Sequence, residues 1–349
     1  MGDCGTISKN YKPWDVKEFD FPAEGSTEDQ LKFLLRYAIL APSGSNNQPW
    51  KFAINISTIS VYADLERRLP FVDPSNRTLY ISVGCAIANL LIAGEHFGFS
   101  YKLDFFPDGL ESKLVAELRF KRSGVPFGAD LFPQITKRFT LKDKYLDINI
   151  DKIILQDLQD FIDIPRFYLH YMTDEASRSA ISYLVSNAHR IQLANKDFRR
   201  NLSEWLRTNR TTKPDGMPLY TFGVPDSVSL GFPAAFREFD LSKLVIHRDS
   251  GLIAGCAAIA VLSSDEDDML AWVRSGILLE NYFLKAMQYD LRLSFFSQPI
   301  GHPLLREKLK DMIQKGYPQL LLSLGYSELR RHTPRRQVED VLMIGDVPK

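Results

Sequence analysis

The pattern of apolar and polar positions predicts alternating helices and strands in the first part of the chain. A helix is predicted over about residues 27–40, with Ser26 as its N-cap. Apolar and polar residues alternate over 50–61 and again over 100–106, which indicates strands. Between them, ISVGCAIANLLIAGEHFGF is apolar on most of its faces, as expected for a helix buried between other elements.

Two segments of the chain resemble each other at a fixed offset. GCAIANLLIAGEHFGFSYKLDFF begins at Gly84, and GILLENYFLKAMQYDLRLSFF begins at Gly276. Asn89 aligns with Asn281 at the same offset, and each segment closes on Phe-Phe. Two unrelated buried helices, each followed by an amphipathic strand, are the alternative to a duplicated domain. We favour the duplication, which predicts two like units, 1–130 and 131–349, packed as a two-fold dimer would be.

A stretch rich in glycine and proline lies between these two segments. Residues 175–206 are predicted to be helical, and LRTNRTTKPDGMPLYTFGVPDSVSLGFPAAF follows over 206–236. Long segments of this kind in compact proteins are mostly functional loops or disordered, and the apolar content here argues against disorder. We predict a lid that packs over a site, in which Tyr220, Phe222 and Phe232 either close a pocket or only pack within the loop.

Composition excludes several classes of function. The 349 residues contain 43 Lys and Arg against 43 Asp and Glu, so no bulk charge attracts nucleic acid. Three distant cysteines and six dispersed histidines indicate neither a disulfide framework nor a metal site. With no apolar run of membrane-spanning length and no signal-like apolar core, we expect a cytoplasmic protein. The start matches a myristoylation pattern through Gly2 and Thr6, which is short enough to recur by chance.

The polar run APSGSNNQPW, residues 41–50, is the first candidate for chemistry. The common nucleotide-binding glycine motifs and the G-x-S-x-G elbow are absent from the sequence. Ser43, Asn46 and Gln48 instead supply donors and acceptors beside a glycine that permits close approach. Such a run could bind a polar heterocycle, or it could simply cap a helix and turn the chain.

Basic residues gather in two further segments. In KRFTLK, residues 137–142, Arg138, Thr140 and Lys142 share one face if the chain is extended. The C-terminal TPRRQVEDVL contains Arg335 and Arg336. Guanidinium, hydroxyl and ammonium groups together suit a phosphate monoester, whereas a solvated basic face is the common alternative.

Taken together, these segments resemble the flavin-dependent nitroreductases. APSGSNNQPWKF is similar to the family's A-P-S-x-x-N-x-Q-P-W-x-F motif, KRFTLKDKY resembles its R-x-S-x-[RK] phosphate motif, and SFFSQPIGHPLLREKL resembles its C-terminal region. In the family, one subunit supplies the A-P-S turn of each flavin site and the other supplies the phosphate grip. In this chain, the first half keeps the A-P-S turn and the second half keeps the phosphate motif, which resembles the fused, Acg-like branch of the family. The resemblance implies a nitroreductase-like α+β fold with two fused units in an intrachain pseudo-dimer, one FMN at their junction and a monomeric chain.

The resemblance also implies a role for each candidate residue. Ser43, Asn46 and Gln48 would bond the ribityl chain or ring edge of FMN; Arg138, Thr140, Lys142 and Arg335 would hold its phosphate; and the backbone of Pro299, Ile300 and Gly301 would face the flavin N5. No catalytic side chain is required, because the flavin would carry hydride from NAD(P)H to a nitroaromatic, quinone or similar small acceptor. Two alternatives stay open: a protein that sequesters FMN behind the lid with little turnover, and an interaction protein that has lost the cofactor.

Overall fold

The computed structural model describes residues 9–126 and 128–343 of the chain. The myristoylation match at Gly2 and Thr6 lies outside these residues. Helices, two four-stranded antiparallel sheets and a short parallel pair of strands make up the regular structure of the described residues, so the α+β class predicted from the sequence is confirmed.

The first half builds one four-stranded sheet and the long helix that packs on it. Its elements are α1 (Thr27–Ala38), β1 (Trp50–Asn55), β2 (Thr58–Ala63), α2 (Arg77–His96), β3 (Phe99–Phe105) and β4 (Leu114–Arg122). The strands lie in the order β1-β2-β4-β3, and every neighbouring pair is antiparallel. Ser26 caps α1 through a reciprocal pair of bonds with Asp29, which confirms the predicted start of this helix.

The second half builds another sheet and carries an insertion. Its elements are α3 (Phe132–Ile135), α4 (Lys152–Phe161), β5 (Phe167–Met172), α5 (Glu175–Ala194), α6 (Lys196–Ser203), β6 (Leu206–Arg207), β7 (Met217–Pro218), α7 (Asp226–Ser229), α8 (Phe232–Glu238), α9 (Ser242–Ala254), β8 (Ala258–Ser264), α10 (Met269–Gln288), β9 (Leu291–Phe295), α11 (Pro303–Ile313), β10 (Tyr317–Tyr326) and α12 (Val338–Val341). The insertion, from α5 to α9, separates the first two strands of the sheet.

The second sheet repeats the first in order and direction. Its strands lie in the order β5-β8-β10-β9, and every neighbouring pair is antiparallel. Along the chain, α10 connects β8 to β9, as α2 connects β2 to β3 in the first sheet. Phe105 and Phe295, aligned from sequence, are each the last residue of the strand after that helix. The internal repeat predicted from the sequence is therefore present in the fold.

The two central helices, α2 and α10, cross at the two aligned glycines. A Cβ atom on Gly84 would overlap the carbonyl oxygen of Val273 and lie 3.0 Å from the Cα atom of Gly276. A Cβ atom on Gly276 would likewise overlap the carbonyl oxygen of Ile81. Only glycine lets the two backbones approach this closely. The crossing joins equivalent positions of the repeat, as the contact across a two-fold axis would.

One apolar core runs through both halves. It contains Trp50 and Phe52 of β1 together with Phe283 of α10 and Leu293 of β9. Helix α2 is long and apolar enough to cross a membrane, but 83% of its most apolar window is buried inside the protein. In this fold α2 is therefore a core helix, as its sequence predicted.

Two local predictions need correction. The helix predicted over 175–206 is two helices, because Asn195 ends the first and its side chain accepts bonds from the N–H groups of Asp197 and Phe198 at the start of the second. Residues 206–236 contain short strands and helices over their own apolar cluster, rather than a plain loop. Ahead of α1, the chain forms 3₁₀ turns at Lys9–Asp15 and Glu18–Asp20.

Candidate functional site

The turn that follows α1 is held by its own polar side chains. Ser45, Asn46 and Gln48 have positive φ angles of 51°, 55° and 50°, a region that most side chains avoid. Ser43 Oγ accepts a hydrogen bond from the Gln48 N–H at 2.9 Å, which closes the turn. Asn46 and Gln48 are buried, so their amides face the interior of the protein.

Arg335 joins this turn to the C-terminal segment. Its Nη1 donates to Asn46 Oδ1 at 2.8 Å, and Asn46 Nδ2 donates back to the Pro334 carbonyl at 3.0 Å. The next residue, Arg336, donates from its N–H to Gln48 Oε1 at 2.8 Å. Three residues proposed from opposite ends of the sequence thus meet in one bonded cluster, which we call the Asn46–Arg335 cluster.

Arg138 reaches the same place from the start of the second half. Its Nη2 donates to the Leu40 carbonyl at 2.6 Å, and Arg335 Nη2 donates to that same oxygen at 3.2 Å. Its other partner is Glu280 of α10, with 3.2 Å between Nε and Oε1 and both side chains fully buried. Burial raises the pKa of Glu280 to about 7, against the opposing effect of Arg138.

Lys142 lies beneath the insertion without an acidic partner. Its Nζ lies 3.6 Å from the Met217 sulfur and 5.0 Å from the Phe222 ring centroid. Burial, together with the like charge of Arg248, lowers the pKa of Lys142 to about 8. No carboxylate of the described residues lies within ion-pairing distance of it, so its charge is available to an anion.

The remaining predicted residues are less closely connected. Thr140 is half-buried, and its hydroxyl makes no hydrogen bond within the described part of the chain. The Gly301 N–H donates to the Ser297 carbonyl at 3.1 Å and is therefore used by its own turn, whereas the Ile300 N–H has no such partner among the described residues. No hydrogen bond or ion pair of the residues described joins the 299–301 turn, which includes Pro299, to the Asn46–Arg335 cluster.

The insertion lies directly over the cluster. Asn46 Nδ2 donates to the Gly216 carbonyl at 2.9 Å, and Gln48 Nε2 donates to the Pro214 carbonyl at 2.8 Å. Asp215, between those two residues, pairs with Arg67 and with Arg207. The carbonyls of Pro214 and Gly216 therefore accept hydrogen bonds from two residues that were predicted to bind a ligand.

The aromatic residues of the insertion have separate roles. The Tyr220 hydroxyl donates to the His332 carbonyl at 2.6 Å. Phe222 packs beneath two cations, Lys142 and Arg248. Phe232 packs near Phe236, inside the insertion. Tyr220 and Phe222 thus connect the insertion to the cluster and its neighbours, whereas Phe232 serves loop packing.

Sequence reasoning missed several residues of the site. Glu280 could have been found, because it is a lone carboxylate in a helix predicted to be buried, and buried carboxylates need a partner. His332 gave no such signal; burial, together with Arg335 and Arg138, lowers its pKa to about 4. Asp215 and its two arginines meet only through the tertiary fold. Within the described residues, no group of three or more metal-ligating side chains comes together.

Comparisons with known proteins cover nearly the whole chain. No family model matches the sequence. A Mycobacterium tuberculosis protein named "Putative NAD(P)H nitroreductase" is 25% identical over 340 residues, 90% of this chain and 91% of its own. The chain is similar, over nearly its whole length, to proteins named as NAD(P)H nitroreductases. The resemblance drawn from APSGSNNQPWKF and the two basic segments is therefore confirmed.

Two further relatives show the same full-length match. "Putative NAD(P)H nitroreductase acg" of M. tuberculosis is 21% identical over 333 residues, 91% of this chain and 96% of its own. "Probable NAD(P)H nitroreductase PigM" of a Serratia species is 24% identical over 341 residues, 90% and 93% of the two chains. A solved FMN- and NADPH-dependent nitroreductase, NfnB of a sphigopyxis strain, has 12% identity and a TM-score of 0.40, covering 62% of this chain and all of that one. The matches to the two named relatives therefore extend over both halves of this chain.

Proposed function

We propose that the chain is an FMN-dependent oxidoreductase of the nitroreductase type, with one flavin site at the junction of two units, 1–130 and 131–349. The carbonyl of Leu40 carries the proposal: Arg138 and Arg335 of the second unit both donate to it, beside the Asn46 turn of the first. The relatives over the full length of the chain are named as NAD(P)H nitroreductases.

Orphaned polar atoms support a ligand at this place. Arg335 Nε and His332 Nδ1 are buried without a hydrogen-bond partner among the described residues. Within the part of the chain that the structure describes, the hydrogen-bond acceptor of the Lys142 ammonium group is the thioether of Met217. Buried polar atoms normally have partners, and guanidinium and ammonium groups suit a phosphate. The chemistry of these residues therefore fits FMN.

Each residue then has a task at the site. Lys142 and Arg335 would bind the phosphate, with Arg138 held behind them by Glu280, and Asn46 and Gln48 would bind hydroxyl groups or the ring edge. Ile300, whose N–H has no partner among the described residues, is the backbone donor left at the 299–301 turn. When bound, FMN supplies hydride transfer from NAD(P)H to a small acceptor such as a nitroaromatic or quinone. We propose the cytoplasm as the compartment and a monomer as the working form.

The insertion gives the sequestering alternative a physical basis. The side-chain amides of Asn46 and Gln48 can donate to a ligand only by releasing carbonyls of the protein, among them those of Gly216 and Pro214. Asp215 opposes that release, since Arg67 and Arg207 both hold it. A segment held in this way would exclude water from the site and restrict the entry of large acceptors.

Lys142 offers the sharpest test of the flavin site. Replacing it with methionine should leave the fold intact, because none of the described carboxylates forms an ion pair with this ammonium group. We expect FMN affinity to fall by about tenfold or more in Lys142→Met, the value of one charged hydrogen bond to a phosphate. The measurement is FMN titration by absorbance and fluorescence, with Lys137→Met, an exposed lysine five residues earlier, as the matched control.

The same samples separate the alternatives. Flavin bands that bleach with anaerobic NADPH or NADH and return with a quinone support the oxidoreductase. Bands that persist in the presence of either nucleotide favour sequestration. A wild-type protein that binds no FMN overturns both, and equal FMN retention in Lys142→Met removes Lys142 from the phosphate site.

A further inference from the structure

A cleft of about 360 Å³ opens on the surface where three distant parts of the chain meet. Tyr11, residues 209–226 of the insertion and Arg331 line it. Its volume lies within the range of small-molecule sites. Tyr220 forms one wall, and its hydroxyl donates to the His332 carbonyl beside the candidate site. The cleft therefore adjoins the Asn46–Arg335 cluster without using any of the residues assigned to the cofactor.

Arg331 gives the cleft an uncompensated positive charge. Its side chain is exposed, and its Cζ atom lies 4.4 Å from the ring centroid of Tyr11 and 5.0 Å from that of Tyr220. Two aromatic rings thus orient the guanidinium group. Of the residues that the structure describes, none places a carboxylate within ion-pairing distance of Arg331.

The carboxylate among the cleft's lining residues is already neutralised. Asp226 pairs with Arg210 at 3.4 Å and accepts a further hydrogen bond from Asn209 Nδ2 at 2.9 Å. The lining therefore carries a net positive charge, centred on Arg331. Thr211 and Thr212 add hydroxyl groups at the same surface.

We propose that this cleft binds the phosphorylated adenosine end of a reduced pyridine nucleotide, the electron donor that the proposed function requires. A guanidinium group is a bidentate partner for phosphate, the tyrosine rings offer aromatic walls to a base, and threonine hydroxyls can bond a ribose. Inorganic phosphate would satisfy Arg331 alone and leave the tyrosine walls unused. The identity of the nucleotide rests on the proposed function, whereas the site itself rests on the cleft.

Fragment binding tests the cleft without any flavin. Isothermal titration of the purified full chain with 2′,5′-ADP, adenosine and inorganic phosphate compares wild type, Arg331→Ala and Arg274→Ala. Arg274 is the matched control, because it is also exposed, also lies over an aromatic ring, that of Phe105 at 5.8 Å, and forms no ion pair in the described residues. We expect 2′,5′-ADP to bind at least about tenfold more tightly than adenosine or phosphate, and Arg331→Ala to lose about tenfold while Arg274→Ala stays within about twofold.

Three results would overturn the assignment. The first is that wild-type protein does not bind 2′,5′-ADP. The second is that wild type and Arg331→Ala bind 2′,5′-ADP with equal affinity. The third is that inorganic phosphate binds wild type as tightly as 2′,5′-ADP does. Because the fragment carries no redox group, these outcomes are independent of the FMN titration. A protein that bound no added FMN but still bound 2′,5′-ADP would overturn the flavin site and leave the cleft standing.

Discussion

The two central helices, α2 and α10, are alike where they cross and differ one turn later. Gly84 and Gly276 occupy equivalent places in the repeat, and each backbone excludes a side chain on the other. One helical turn beyond, Glu280 in α10 aligns with Ala88 in α2, and both residues are fully buried. The repeat has kept its packing on both sides and its buried charge on one side only.

This difference separates the demands of folding from those of the site. The glycine contact is needed twice because both helices must approach each other. A buried ion pair is a different matter, since desolvation of two charges often costs as much as their attraction returns. We therefore attribute Glu280 to the candidate site, where its carboxylate pairs with Arg138. The first half has no such pair at the equivalent position, which is occupied by Ala88.

The largest expected effect comes from disturbing the shared feature. In Gly276→Ala, the new Cβ atom would overlap the Ile81 carbonyl, which is backbone and cannot turn aside. The helices must move apart, and we expect a loss of about 3 kcal/mol in the free energy of unfolding. Urea denaturation followed by circular dichroism measures it.

A glycine elsewhere in the fold provides the control for that substitution. Gly251 lies inside α9 with open space at its Cβ position, so Gly251→Ala should gain about 0.5 kcal/mol from helix propensity. If Gly276→Ala proved as harmless as Gly251→Ala, the helices would not cross at the glycines.

The next effect concerns the feature that differs. Glu280→Gln mimics the protonated carboxyl group, which burial favours by raising the pKa of Glu280 to about 7 from a reference value of 4.5. The folded wild type binds this proton more tightly than the unfolded chain, so the stabilisation is complete below pH 4.5 and lost as pH rises through 7. We expect Glu280→Gln to match wild type at pH 5 and to exceed its stability at pH 8 by up to about 3 kcal/mol.

The difference in unfolding free energy between wild type and Glu280→Gln isolates the contribution of Glu280 from those of other titrating groups. His332, whose pKa burial lowers to about 4, has the opposite effect on wild type and mutant alike and cancels in the comparison. Glu266→Gln, at an exposed pair with Arg166, is the control and should change little at either pH. A Glu280→Gln protein that is less stable than wild type at pH 8 would show that the ion pair holds the fold together.

The sequence predicted those parts of the molecule that depend on local pattern. Capping predicted the helix start at Ser26, and alternation predicted strands in the region of β1, β2 and β3. Repetition predicted the alignment of Gly84 with Gly276, and all of these features are present in the structure. The break at Asn195 was missed because apolar residues continue past it, and only the capping bonds mark the new helix.

The candidate site depends more on tertiary contacts. The motifs identified Asn46, Gln48 and Arg335, which the fold brings into contact. Nothing in the local pattern indicates that Gly216 and Pro214 would accept the amide hydrogens of that turn, since the partners lie more than one hundred residues apart. The position of the insertion over the site is a property of the packed chain, and only the structure reveals it.

The smallest expected effect concerns how the two central helices begin. The N-cap of α10 is Asp268, whose Oδ1 accepts the Ala271 N–H at 2.8 Å. The N-cap of α2 is Asn76, which has a φ of 59° and whose side chain makes no capping bond within the described residues. Asp268→Ala should lose about 1 kcal/mol, while Asp268→Asn, which can still cap, should stay within a few tenths of wild type. Urea denaturation at pH 7 measures both, and an equal loss in the two variants would mean that the charge near the N-terminus of α10 stabilises the helix, rather than the hydrogen bond.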